Sequence, residues 1–170
     1  MIPCIFIVQG KPWNKKTMLF MVAVVVIILF VDRFTDVLET LLANTQYDDV
    51  TEQFQYDDGT NLLRVLVYSV SPVLSLIGRK QIGKIDSPII NLSINMSIIS
   101  MGIYIVSMFT SGIYIGRLPI YFSLYNYILL PWELDNLFTK RSAILLKIAM
   151  IGFYIVYCYY QMVVSWGYTW

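Results

Sequence analysis

The chain has 170 residues, of which 58% are hydrophobic and 14% charged, with a formal net charge of +1. Soluble domains carry about 25% charged residues, so the composition points away from a water-soluble globule, and the near-neutral balance gives no field that would gather nucleic acid. Histidine is absent and the two cysteines, Cys4 and Cys158, stand at opposite ends; His-based acid–base chemistry, a disulfide framework, a metal site and any cofactor that would need one are therefore not expected.

Met1–Val8 is apolar but too short to cross a bilayer, and reads as an interfacial stub or the remnant of an earlier helix. Lys11, Lys15 and Lys16 then precede the first predicted span, Met18–Phe34. This imitates a signal peptide, but no small-residue cleavage site follows, so the segment is read as an uncleaved span. An acidic loop, residues 32–61, comes next, with eight carboxylates against Arg33. A short amphipathic helix is expected over Phe34–Leu42, and Asp58-Gly59 reads as a tight turn.

The second predicted span is Leu62–Gly78, followed by Arg79, Lys80 and Lys84 against Asp86. Residues 88–116 carry no charged side chain over 29 positions. A hydrocarbon core about 30 Å thick needs roughly 20 apolar helical residues, so a third span is placed at Pro88–Gly112. The fourth, Leu118–Trp132, is bracketed by Pro119 and Pro131 and reads either as a span or as a re-entrant element. Lys140 and Arg141 precede the fifth, Ser142–Ser165, which ends in an aromatic belt. The expected fold is all-α: one polytopic transmembrane bundle over residues 1–170, with about five spans. Lys/Arg-rich loops stay in the cytoplasm, so the N-terminus and Arg79–Asp86 are expected inside, and the acidic loop, Arg117 and the C-terminus outside.

Arg64 and Arg117 both fall at the outer boundary on this topology. Arginine in a span costs about 2.5–3.5 kcal/mol on insertion scales and is usually kept for a partner or a function. Two readings stand for each. Either the guanidinium fork holds a diphosphate bidentately, or it snorkels to the headgroups and anchors its helix. Gly112 and Gly116 form a small-xxx-small pair suited to close helix packing. Asn91 and Asn95 sit one turn apart on the third span, and Ser100, Tyr104, Ser107 and Ser111 make another stripe; in lipid both must face protein or a polar cavity. Asp48 and Asp49, next to Tyr47, are either a proton acceptor for a sugar hydroxyl or ordinary solvated carboxylates. Tyr121, Tyr125 and Tyr127 line a sugar path or simply pack. Lys147 snorkels or pairs with a carboxylate.

The segment Gly116-Arg-Leu-Pro-Ile-Tyr-Phe, with Thr45-Gln-Tyr47, Gly59-Thr-Asn-Leu-Leu-Arg64, Gly78-Arg-Lys80 and Asn91-Leu-Ser-Ile-Asn95 upstream, resembles EpsG-family membrane proteins over residues 20–160. These are similar to Wzy-type bacterial polysaccharide polymerases. The resemblance implies a bundle related to the large membrane glycosyltransferases, in the bacterial cytoplasmic membrane. It implies joining of undecaprenyl-diphosphate-linked oligosaccharide repeats at the outer face, as in capsule, exopolysaccharide or O-antigen assembly. It carries Arg64, Arg117 and Tyr121 over as site residues, with Tyr47 and Asn61; Asn95 is added as a substrate contact and Asp48 or Asp49 as base. The family's proteins are longer, so the chain is expected to correspond to their C-terminal part, with membrane lipids, a separate N-terminal half or other polysaccharide-assembly proteins as partners. A non-enzymatic glycan translocator and an inactive remnant are the competing expectations.

Overall fold

The computed structural model describes residues 10–30, 33, 37, 40, 59–85, 87–109 and 115–165. The expected helix Phe34–Leu42 and most of the acidic loop, with Tyr47, Asp48 and Asp49, lie outside them, as do Gly112 and Ser111. The described residues are helices and short connections only: α1 (Lys15–Leu29), α2 (Leu62–Ile77), α3 (Arg79–Ile85), α4 (Pro88–Phe109), a 3₁₀ turn (Ile115–Arg117), α5 (Ile120–Leu137), α6 (Lys140–Tyr160) and a π-helical turn (Gln161–Ser165). The all-α expectation holds. Two compact units divide within α5, at Leu129 and Leu130.

In the first unit α4 is the central helix, packed against α1, α2 and the 3₁₀ turn. Its buried residues include Ser93, Asn95, Ser97, Ser100 and Ser107, whereas Leu19, Val22, Val25, Leu66 and Val73 on α1 and α2 are exposed. Polar residues inside and aliphatic ones outside is the distribution a lipid solvent selects, because hydrocarbon offers no hydrogen bonds. The small polar side chains satisfy themselves on the helix, with Ser93 Oγ donating to the Ile89 carbonyl (2.9 Å) and Ser107 Oγ to that of Tyr104 (2.9 Å). Small residues also allow close approach. A Cβ on Gly102 would lie 2.7 Å from the Phe20 ring and 3.1 Å from Val24.

Contacts fix the helix directions. Thr17 meets Asn95 and Phe20 meets Gly102, so α1 runs parallel to α4; Thr60 meets Ser107 while Ser75 lies near the other end, so α2 runs antiparallel. On α5, Phe122 and Tyr125 join Met96, Ile99 and Leu92 of α4 in the apolar core. Ser97 Oγ donates to Asn126 Oδ1, and Ser100 Oγ to the Pro119 carbonyl (3.3 Å), so α5 starts part-way down α4.

The parallel α1 brings Lys11, Lys15 and Lys16 to the same end of the first unit as Arg79, Lys80 and Lys84. The segment before α1 is fastened there. Asn14 caps the helix, accepting from Lys15 N (2.7 Å). Trp13, 7% exposed, donates its indole N–H to Ser75 Oγ (3.1 Å) and accepts from Arg79 Nη2 at its carbonyl (3.1 Å). Its φ of 58° is a left-handed conformation that costs a bulky residue about 1–3 kcal/mol, which these two bonds and the burial of the ring offset.

The span boundaries differ from expectation in places. α2 begins and ends where predicted, capped by Asn61 and Gly78, and continues through Pro72 because only one amide is lost. It then bends by 75° into α3. The fourth element does not stop at Pro131; α5 runs to Leu137 and places Glu133, expected in a loop, on the helix and fully buried. By length and apolarity Pro88–Phe109 and Lys140–Val163 can each cross a membrane, and α2 with α3 makes a third candidate. α1 has 15 described residues, and α5 carries Glu133 and Asp135 near its end. In the second unit, α6 exposes Ile144, Leu145, Ile148, Ile151 and Ile155, a surface that suits hydrocarbon. Lys147, the charge within it, pairs with Asp135 at 2.6 Å.

Candidate functional site

At the end of the first unit opposite the lysines, three short segments are knotted through Thr60. Its amide donates to the Ser107 carbonyl (3.0 Å), and its hydroxyl is hydrogen-bonded to Ser107 Oγ (2.7 Å). Gly59 lies so close to the Met108 carbonyl that a Cβ would collide with it, and a Cβ on Gly116 would sit 2.6 Å from Thr60 Oγ1. The start of α2, the end of α4 and the 3₁₀ turn are thus pressed together, and glycine is required at two of the contact points.

The knot sets where the arginines are. Arg117 follows Gly116 directly and ends the 3₁₀ turn. Arg64 lies in the first turn of α2, its amide bonded to the Asn61 carbonyl (2.9 Å). Chain geometry then holds their Cα atoms within about 20 Å of one another. Arg64 shares its helix face with Tyr68, Ser71 and Ser75, at spacings of four, three and four, and Ser71 and Ser75 are buried at 2% and 0%. Its side chain therefore heads the stripe that packs on the bundle, not the lipid face, and is half-buried; Arg117 is exposed. Among the described residues, neither guanidinium takes part in a hydrogen bond or ion pair.

One turn inward from Arg64, Tyr68 stacks on the buried Tyr104 of α4, with ring centroids 4.9 Å apart. Its hydroxyl lies 3.4 Å from that of Tyr127 on α5. A half-buried arginine beside a layer of tyrosine rings and hydroxyls, with a second arginine exposed at the same end, can hold an anionic phosphate group and offer flat surfaces and hydrogen bonds to what is attached to it.

The other predicted residues distribute differently. Tyr121, 62% exposed, lies four residues from Arg117 in the first turn of α5. Asn61 is near the arginines, but its side-chain oxygen caps α2 by accepting from Leu63 N (2.9 Å). Asn95 stands about 18 Å along α4 from Ser107, by helix rise. There it is 3% exposed, accepts from Thr17 Oγ1 (3.5 Å) and donates to the Gly10 carbonyl (3.0 Å). The structure therefore gathers Arg64, Arg117, Tyr121 and Asn61 at one end and leaves Asn95 toward the other. Tyr47, Asp48 and Asp49 lie outside the described residues. Thr60, Tyr68 and Asn126 escape a sequence reading; for Tyr68 the signal was present, as the residue four after Arg64.

No curated protein and no solved structure matches the chain. A sequence profile of the EpsG family matches it over residues 1–170. With a bundle adapted to lipid and a family match over all of its residues, the chain belongs to the EpsG family of polysaccharide polymerase-like membrane proteins.

Proposed function

We propose that the protein joins undecaprenyl-diphosphate-linked oligosaccharide repeats at the outer face of the bacterial cytoplasmic membrane. The basic end, with Lys11, Lys15, Lys16, Arg79, Lys80 and Lys84, faces the cytoplasm by the positive-inside rule, which puts Arg64 and Arg117 outside. A hydroxyl oxygen of one lipid-linked repeat attacks the anomeric carbon of the other. The bond from that carbon to the diphosphate oxygen breaks, and the diphosphate leaves with the electron pair. Arg64 and Arg117 stabilise the charge that grows on it, an interaction stronger in the transition state than before it. The hydroxyl proton passes to a carboxylate of the acidic loop, Asp48 or Asp49.

The observation that supports this reading is the Thr60 knot, which holds both arginine-bearing segments at one end with Arg64 on the inward stripe. Snorkelling alone asks for neither. Arg117→Lys keeps the charge and removes the fork, so it should abolish incorporation of labelled repeats into polymer while leaving the protein in the membrane. Wild-type polymer from that variant would refute the role, and lipid-linked glycan that crosses the membrane without new glycosidic bonds would identify a translocator instead.

A further inference from the structure

The end of the first unit away from the arginines carries a second feature that the proposed polymerisation does not use. A cavity of about 140 Å³ opens there between the strap before α1 and the elbow of α2 and α3, lined by Lys11, Trp13, Ser75, Arg79, Ile82 and Asn91 among others. Its walls divide by chemistry. Lys11 and Arg79 bring two cations, Asn91 an amide, and Trp13 and Ile82 apolar surface.

Three observations show that the cavity is built. Trp13 is held at a positive φ by two bonds, one from Arg79 to its carbonyl and one from its indole N–H to Ser75. Gly10 is held by Asn95 (3.0 Å), so both ends of the strap are pinned. The 75° bend between α2 and α3 opens the space that the strap roofs. Arg79 spends one donor on the Trp13 carbonyl, and a guanidinium has five.

We propose that this cavity binds the phosphate of an anionic phospholipid at the cytoplasmic boundary of the membrane. Two cations and an amide suit a phosphate oxygen cluster. The apolar wall suits the glycerol and upper acyl chain of an amphiphile and gives nothing to a free, fully hydrated anion. The position fits too, because α4 enters its apolar run at Pro88, beside Asn91, so the cavity lies where headgroups meet the bundle. Basic pockets among membrane helices on the cytoplasmic side are suited to acidic headgroups. A bound lipid would clamp the strap to the elbow and so stabilise the first unit.

The full-length protein, purified in a neutral detergent, is titrated with phosphatidylglycerol, with phosphatidylcholine and with inorganic phosphate. Thermal unfolding and native mass spectrometry are the readouts. Phosphatidylglycerol should raise Tm and remain bound through detergent removal, and phosphatidylcholine should do neither. Lys11→Gln, which leaves both Trp13 bonds in place, should reduce phosphatidylglycerol retention at least about tenfold, the loss of one charge-assisted contact; Arg79→Gln should abolish it. Equal retention of the two lipids, or retention unchanged in Lys11→Gln, overturns the proposal. A rise in Tm of the same size with inorganic phosphate alone overturns the lipid assignment in favour of a free anion.

Discussion

Gly59 decides the geometry of the arginine end and Gly102 the approach of α1 to α4, and the two glycines do so for different reasons. At Gly59 a side chain would strike the Met108 backbone carbonyl, which cannot rotate away; at Gly102 it would strike the edge of the Phe20 ring, which can. Gly59→Ala should therefore destabilise the protein by about 1–3 kcal/mol, the usual range for overpacking, and Gly102→Ala by clearly less. Thermal unfolding in detergent checks the order, and equal effects would mean that the knot is looser than drawn. Tyr68 owes its place to the same end. Its ring lies under Arg64 because residues four apart share a helix face, and it couples α2 to Tyr104 and Tyr127 at once.

α4 and α5 are joined by a polar bond within an apolar seam. Asn126 accepts from Ser97, and its Nδ2, buried, has no hydrogen-bond partner among the described residues. Ser97→Ala removes the bond from a buried amide and should cost about 1–3 kcal/mol. Replacing Asn126 by Leu in that background should recover part of the loss, because the amide no longer has to be buried. Additive costs would show that the two residues do not interact. These elements were only partly legible in the sequence. The bounds of α2 were readable because Asn61, Gly78 and the charges beyond them mark both ends, and Pro88 marked the start of α4. The length of α5 was not, because Pro131 removes only one amide and a packed helix absorbs that loss. Thr60 was invisible for another reason: a threonine in a turn has little hydropathy, and its value comes from Ser107, 47 positions away.

The first unit has the lysines and Arg79 at one end and Arg64 and Arg117 at the other, and the membrane separates them in the proposed topology. In a protein whose native cysteines are replaced by serine, Gly83→Cys lies at the basic end with nothing near its Cβ, and Leu118→Cys adjoins Arg117 with 54% exposure. An impermeant thiol reagent should label position 118 in intact cells and position 83 only after permeabilisation; the opposite pattern would invert the orientation and remove the arginines from the outer face. A shared diphosphate is tested most directly by the Kd of a polyprenyl diphosphate for the wild type, Arg64→Lys, Arg117→Lys and the double variant. If both forks hold one diphosphate, each single change weakens binding about tenfold or more, and the double variant loses less than the product of the two. Wild-type affinity in either single variant, or strictly multiplicative losses, would contradict a common site.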